Sequence, residues 1–200
     1  MQTVLNRIAL LSMVIMMAVT TGCEKEKTTE TPFRIIQASE DLVIPDAVAL
    51  PANLPGGNVR VATYYAVGVQ KYKAQAKASA PGTFEWVFVA PDAKLYDGTN
   101  MEVGTHGAGP NWKLTGRIDS IYAQHFAPMK TAPSNNAGTI DWLLLMPKEG
   151  KTPSGIFSSV TYIQRIATNG GKAPTTPPTS VADIVDVPYT AVYRFSKKKP

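Results

Sequence analysis

Residues 58–75 read NVRVATYYAVGVQKYKAQ, and their apolar side chains recur at every second position. One face of this segment carries Val59, Val61, Thr63, Tyr65 and Val67. A period of two residues is typical of a β-strand, because successive side chains point to opposite faces of a sheet. Gly68 interrupts the run, and we expect a bulge or a tight bend at that position.

The same alternation continues along the rest of the chain. Strands are predicted at 83–90, 139–146, 158–167 and 187–195, with shorter ones at 33–37, 111–115 and 117–122. Gly- and Pro-rich breakers separate these stretches, and no convincing ten-residue segment has helical spacing. We therefore predict an all-β domain, either an antiparallel β-sandwich or a flattened β-barrel, with little helix outside the signal segment. Several strands are apolar on both faces, so we expect a layer of structure against each face.

The first 22 residues resemble a bacterial lipoprotein signal peptide. Arg7 precedes an apolar run over 8–19, which is too short to cross a bilayer core of roughly 30 Å. Thr21 and Gly22 are small and stand directly before Cys23, the single cysteine of the chain. We expect cleavage after Gly22 and lipidation of Cys23, with ordinary secretion and nearby cleavage as the alternative. Lipidation would anchor the protein to the bacterial cell envelope, on the periplasmic or surface side of the outer membrane.

The remaining chain is organised as one domain. Residues 23–32 are mostly charged or threonine, which predicts a flexible tether. Residues 33–197 form a single predicted β domain, and residues 198–200 form a basic tail. A single cysteine permits no internal disulfide, and a chain of this size can bury enough surface to fold without one. The membrane is the expected partner through the lipid on Cys23, whereas scattered positive charge on an exported protein argues against nucleic acid.

One loop candidate for a functional site lies in EVGTHGAGPNWKL, residues 102–114. It contains His106, one of two histidines in the chain, among three glycines that would let the backbone approach a ligand. The favoured interpretation is that the glycines form a turn and that the imidazole hydrogen-bonds a backbone carbonyl. Trp112 is either a stacking platform or, as we prefer, a residue that closes one end of the core. The predicted ligand-binding residues are His106, Asn111, Trp112 and Asp97, for a small molecule or a glycan.

Two further residues are secondary candidates for lining a pocket. Gln164 shares a predicted strand face with Tyr162 and Ile166, while Arg165 faces the other way with Ile163. A buried amide or guanidinium needs hydrogen-bond partners, and a structural hydrogen-bond network is the preferred reading for both residues.

Known catalytic patterns do not occur in the chain. There is no GxSxG elbow, no phosphate-binding loop that leads into a helix, and too few histidines and thiols for a zinc site. We predict no cofactor, no metal and no catalytic residue. The leading hypothesis is therefore a lipid-anchored binding or interaction module. The alternative is an envelope enzyme that uses His106 as acid or base beside a carboxylate such as Asp97.

The order of several motifs resembles the domain-of-unknown-function family 3455, which occurs in exported bacterial and fungal proteins. The motifs are GVQKY, WVFVAPDAKLYD, VGTHGAGPNW, IDWLLL, VTYIQRIATNGGKAP and VPYTAVYRF. The resemblance extends from about Val43 to Phe195 and implies no established activity, substrate or cofactor. Relatives often carry cysteines near the positions of Ala74 and Ala182, and the resemblance implies that those cysteines pair. This chain has alanine at both positions.

Overall fold

A computed structural model describes residues 31–134 and 136–200. The predicted signal peptide, Cys23 and most of the predicted tether lie outside these residues. The described part contains helix α1 (Pro32–Ser39) and 3₁₀ turns at Asp46–Val48 and Gly155–Phe157. Its strands are β1 (Asn58–Ala76), β2 (Phe84–Tyr96), β3 (Glu102–Gly107), β4 (Asn111–Leu114), β5 (Ser120–Ala132), β6 (Trp142–Pro147), β7 (Tyr162–Gly170) and β8 (Ile184–Lys198). Within these residues, no helix has the length and apolarity needed to span a membrane.

The eight strands form one closed antiparallel barrel. Each strand pairs with the next in the chain, and β8 returns to pair with β1 from Asn58↔Lys198 to Lys73↔Ile184. Pairing of β8 with β1 closes the ring, although β2 before Ala93 pairs only with β1, and β5 after Tyr122 pairs only with β6. The predicted all-β class and the flattened-barrel alternative are thereby confirmed.

Both faces of the sheet are covered, as the doubly apolar strands predicted. Inside the barrel, the core includes Tyr64, Trp112, Phe157, Tyr193 and Phe195. On the outside, the chain before β1 packs against the sheet in two clusters. The first joins Ile35, Ile36 and Leu42 to Tyr65, Ile166 and Val192, and the second joins Ile44, Val48 and Leu50 to Leu144 and Tyr162. The segment before β1 is therefore an outer layer of the fold.

The predicted strand at 33–37 is wrong, because these residues belong to α1. Thr31 caps the helix, with its hydroxyl oxygen accepting a hydrogen bond from the Arg34 amide at 3.5 Å, and Pro32 occupies the first helical position. The helix places Ile35 and Ile36 side by side against the barrel wall. Contact with a folded barrel stabilises this eight-residue helix, which would be marginal in isolation.

Gly68 does not form the predicted bulge. Its pairing with Ala93 in β2 is regular, and the register shift between β1 and β2 falls at Lys71/Tyr72 instead. A Cβ on Gly68 would lie 2.1 Å from the Asp92 carbonyl oxygen. The position requires glycine because the two strand backbones approach each other closely.

One end of the barrel is closed by aromatic side chains. Phe157, from the 3₁₀ turn after β6, packs against Phe195 with ring centroids 4.7 Å apart, and Tyr64 meets both rings edge-on. The Asp119 carboxylate fixes this turn by accepting a hydrogen bond from the Ile156 amide at 2.9 Å. We call this the closed end; the opposite end carries the site described next.

Candidate functional site

A cavity enters the barrel from the end opposite Phe157. Its inner part has a volume of about 260 Å³ and its outer part about 410 Å³. The two parts adjoin, since both are lined by Gln70, Phe88, His125, Leu143 and Arg165. The floor is formed by three residues that are almost fully buried: His106, Trp112 and Tyr193. Exposed apolar side chains surround the entrance, namely Phe88, Val89 and Met129.

His106 is held rigidly in the floor by contacts on several sides. It lies on β3, paired with Trp112 of β4, and the two rings stack with centroids 4.5 Å apart and an interplanar angle of 10°. Its Nδ1 lies 2.8 Å from the Asn111 carbonyl oxygen, so Nδ1 carries the proton and donates it. Burial lowers the pKa of His106 to about 3, with the nearby Arg165 charge acting in the same direction. The imidazole is therefore neutral at physiological pH.

The structure agrees with part of the favoured interpretation, but it places His106 on strand β3 and not on the loop. His106 hydrogen-bonds a backbone carbonyl, and the turn between β3 and β4 contains Gly109 with φ of 116°. Gly104 serves a different purpose, because a Cβ there would lie 2.2 Å from the Lys113 carbonyl oxygen. Trp112 is 0% exposed, so it is a core residue at the cavity floor and cannot act as an exposed platform.

Asp97 lies toward the closed end and is separated from His106. His106 pairs with Ala93 of β2, and Asp97 is four residues further along, about 13 Å at 3.3 Å per residue. Its carboxylate accepts hydrogen bonds from the Thr99 and Met101 amides and the Thr99 hydroxyl. These bonds outweigh the effect of partial burial and lower the pKa of Asp97. The pairing of His106 with Asp97 that the enzyme alternative requires is not formed.

Asn111 is placed beside His106 but is engaged within the turn. Its side-chain amide donates to the Ala108 carbonyl, while its own carbonyl accepts from His106. Of the four predicted binding residues, the structure thus brings His106, Asn111 and Trp112 together and leaves Asp97 apart. His106 and Trp112 line the cavity.

Arg165 supplies the positive charge of the inner cavity. It lies on β7, directly paired with Tyr193 of β8 and Leu143 of β6. Its Nε and Nη2 both donate to one backbone carbonyl, that of Asp141, at 3.1 and 2.8 Å. No carboxylate of the described residues forms an ion pair with it. Together with burial, its charge lowers the pKa of His125.

Three buried polar atoms at the cavity have no hydrogen-bond partner among the described residues: Gln70 Nε2, Trp112 Nε1 and Tyr193 Oη. Their side chains are between 0% and 2% exposed. Burial raises the pKa of Tyr193, while Arg165 and Tyr189 oppose that rise without forming a hydrogen bond of good geometry. An unsatisfied buried polar group costs about 1–3 kcal/mol, so three at one cavity require an explanation.

Gln70 was not among the predicted site residues, although its position in β1 marks it as a residue that faces the barrel interior. Gln70 has the same strand parity as Tyr64 and Ala66, which face the barrel interior. A polar residue in an otherwise inward-facing set is a candidate for lining a cavity. The signal was hidden because the opposite face of β1 is equally apolar.

Gln164 has the structural role that was preferred for it. It points outward, is 3% exposed, and donates from Nε2 to the Val48 carbonyl at 2.8 Å. This hydrogen bond fastens the segment before β1 to the barrel. Among the described residues, no cluster of three or more His, Cys, Asp or Glu side chains is arranged to hold a metal.

Comparison with known proteins identifies one family. The family described as "Protein of unknown function (DUF3455)" matches residues 55–197, which include all eight strands apart from the last residue of β8. Searches among curated proteins and among solved structures found no match.

Proposed function

This chain belongs to the DUF3455 family, and we propose that it is a binding module whose ligand site is the cavity at the open end of the barrel. The observation that carries this proposal is the set of unpartnered polar atoms on Gln70, Trp112 and Tyr193 around one cavity. A ligand that accepts hydrogen bonds from these donors would offset the cost of burying them. Small barrels with such an interior are suited to enclosing one small ligand.

A small molecule fits this site better than a glycan. The inner cavity of about 260 Å³ is partly enclosed by the barrel, and Trp112 forms its floor with no exposed surface. Stacking of a glycan on Trp112 would require an open groove and an exposed indole, which this arrangement lacks. The donors and the apolar walls instead favour a compact ligand that enters end-on.

A binding role is favoured over catalysis by the state of His106. Its ring is stacked on Trp112, its Nδ1 proton is used by the Asn111 carbonyl, and its pKa is about 3. A general acid or base works best with a pKa near the ambient pH and a carboxylate that orients it. His106 has neither property.

We also propose the cellular location that the first 22 residues predict. We place the module on the cell envelope, anchored by lipid on Cys23, with the positively charged signal segment removed. Labelling of cells with a fatty-acid analogue tests this: Cys23→Ser should abolish incorporation. Unchanged labelling of the variant would contradict the lipid anchor and leave the proposed cavity function standing.

The binding function is tested by blocking the cavity. Leu143 lines both of its parts, and Leu143→Trp would place an indole at their junction. We expect a thermal-shift screen of a charge-balanced fragment library on the full-length protein to yield ligands that the variant no longer binds. Ile118→Trp adds the same bulk at a position that is 80% exposed and outside the cavity, so it should bind like the parent. Hits that bind all three proteins equally would refute the cavity as the site.

A further inference from the structure

The chemistry of the cavity narrows the class of ligand. Its inner part is lined by the Arg165 guanidinium and by no Asp or Glu side chain. The outer part adds Lys172 and Asp141, one charge of each sign. The charged groups that face the cavity from the described elements therefore leave a net positive charge.

The other titratable groups do not cancel this charge. His106 and His125 have lowered pKa values, and the pKa values of Tyr72, Tyr189 and Tyr193 are raised by burial, so all five are neutral at pH 7. Among the described residues, Arg165 has no carboxylate partner, and it donates two hydrogen bonds to the Asp141 carbonyl. A guanidinium in a partly enclosed site, where water screens poorly, strongly favours a bound anion.

Resting on the proposed binding function, we infer that the ligand is a small organic carboxylate with a compact apolar body, its carboxylate held by Arg165 and by the Gln70 amide. A carboxylate has two oxygens and can accept from several donors at once. Gln70 Nε2 and the Tyr193 hydroxyl have no hydrogen-bond partner within the described part of the chain, so they can join the guanidinium on the same group. Three donors of different geometry on one carboxylate give orientation as well as affinity.

The walls define the rest of the ligand. Leu143 and Leu145 supply apolar side chains inside, and Phe88 supplies an aromatic ring at the entrance. The inner part has a volume of about 260 Å³ and opens into the outer part of about 410 Å³. A single ring or a short branched chain that bears one carboxylate fits the inner part.

Benzoate and its neutral analogue benzamide test this inference. Both have one phenyl ring and differ mainly in the charge of the group that would face Arg165. We expect isothermal titration of the full-length protein to show benzoate binding at least about tenfold more tightly than benzamide. Arg165→Gln should reduce benzoate affinity at least about tenfold and leave benzamide binding unchanged. Arg117→Gln, which removes a cation lining a cavity toward the closed end, should change neither.

The possible results distinguish failure of the carboxylate assignment from failure of the binding function. If benzamide binds as tightly as benzoate, or if folded Arg165→Gln binds benzoate like the parent, the carboxylate assignment is overturned and the binding module stands. If neither compound binds but neutral fragments do, and Leu143→Trp abolishes their binding, the carboxylate assignment is overturned and the binding function stands. If no fragment of any charge binds, both proposals fail. Should Arg165→Gln not fold, the ratio of benzoate to benzamide affinity in the parent protein still decides the question.

Discussion

Lowering the pH should destabilise this protein because His106 is buried as a neutral imidazole. Substitution of His106 isolates this contribution from those of the other titrating groups. Its pKa is 6.5 in the unfolded chain and about 3 in the folded state, because the buried ring resists charging. The folded protein thus keeps His106 neutral between pH 6.5 and 3, whereas the unfolded chain binds a proton there. Stability rises with pH wherever the unfolded state binds more protons. The contribution is therefore fully present above pH 6.5 and is lost as the pH falls below it.

The size of the effect follows from the two pKa values. Between pH 7 and pH 5, the linkage relation gives a loss of about 2 kcal/mol in the free energy of unfolding. This figure changes little for any folded-state pKa below 4, because the folded ring is neutral at pH 5 in every such case. Measurement at pH 5 also avoids the range in which most carboxylates titrate.

The assay is urea denaturation at pH 7 and pH 5 for the parent and for His106→Gln, whose side chain does not titrate. The parent should lose about 2 kcal/mol more than the variant between the two pH values. His106→Phe is a second non-titrating variant that keeps an aromatic ring beside Trp112. His125→Gln is the matched control, and it should behave more like the parent because His125 is much more exposed than His106. Equal losses in the parent and both His106 variants would refute the buried neutral imidazole.

Three further substitutions test the packing around the site. Gly68→Ala should lower the free energy of unfolding by at least about 1–3 kcal/mol, because its Cβ would lie 2.1 Å from the Asp92 carbonyl oxygen. The control Gly98→Ala, whose Cβ would have nothing within 4 Å, should change this free energy by less than about 0.5 kcal/mol. Equal effects of the two substitutions in urea titrations would contradict the close approach of the strands at Gly68. Gln164→Leu should lower the free energy of unfolding by about 1–3 kcal/mol, because it leaves the buried Val48 carbonyl unpaired. It should also speed proteolysis of the segment before β1. The control Gln75→Leu, at an exposed position, should have neither effect. Tyr193→Phe should leave the free energy of unfolding unchanged or raise it by up to about 1 kcal/mol, because it removes a hydroxyl with no partner among the described residues. The same substitution should weaken benzoate binding. A clear loss of stability would mean that the hydroxyl is already paired.

Part of the site could be predicted from local pattern. The glycines around His106 indicated a turn, and the structure has one that contains Gly109, with the ring hydrogen-bonded to a backbone carbonyl. The predicted loop position of His106 itself is wrong, because the residue lies on β3. Strand parity placed Arg165 on the face of Ile163, which lies in the barrel core. The same parity put Gln164 on the opposite face, where its amide is buried and paired. These predictions succeeded because each depends on residues that are close in sequence.

Other parts of the site could not be predicted in this way. The pairing of His106 with Asp97 depends on where the β2–β3 turn falls, and the register places the two residues at different levels of the barrel. Gln70 was missed because β1 is apolar on both sides, so alternation alone does not reveal which side is interior. The helix over Pro32–Ser39 forms where the sequence favoured a strand, because its isoleucines pack on a surface built by distant residues.

The sequence by itself determined that this chain builds a sheet, since side-chain alternation is a property of consecutive residues and fixes the backbone period. It also indicated the family, through an ordered set of motifs, and the family model confirms this over residues 55–197. Only the tertiary structure decided that the sheet closes, because β1 pairs with β8 across more than one hundred residues of chain. Closure in turn decided which face is interior, and so gathered Gln70, Arg165 and Tyr193 around one cavity. Local patterns carry no information about such long-range contacts, which depend on how whole strands fit together.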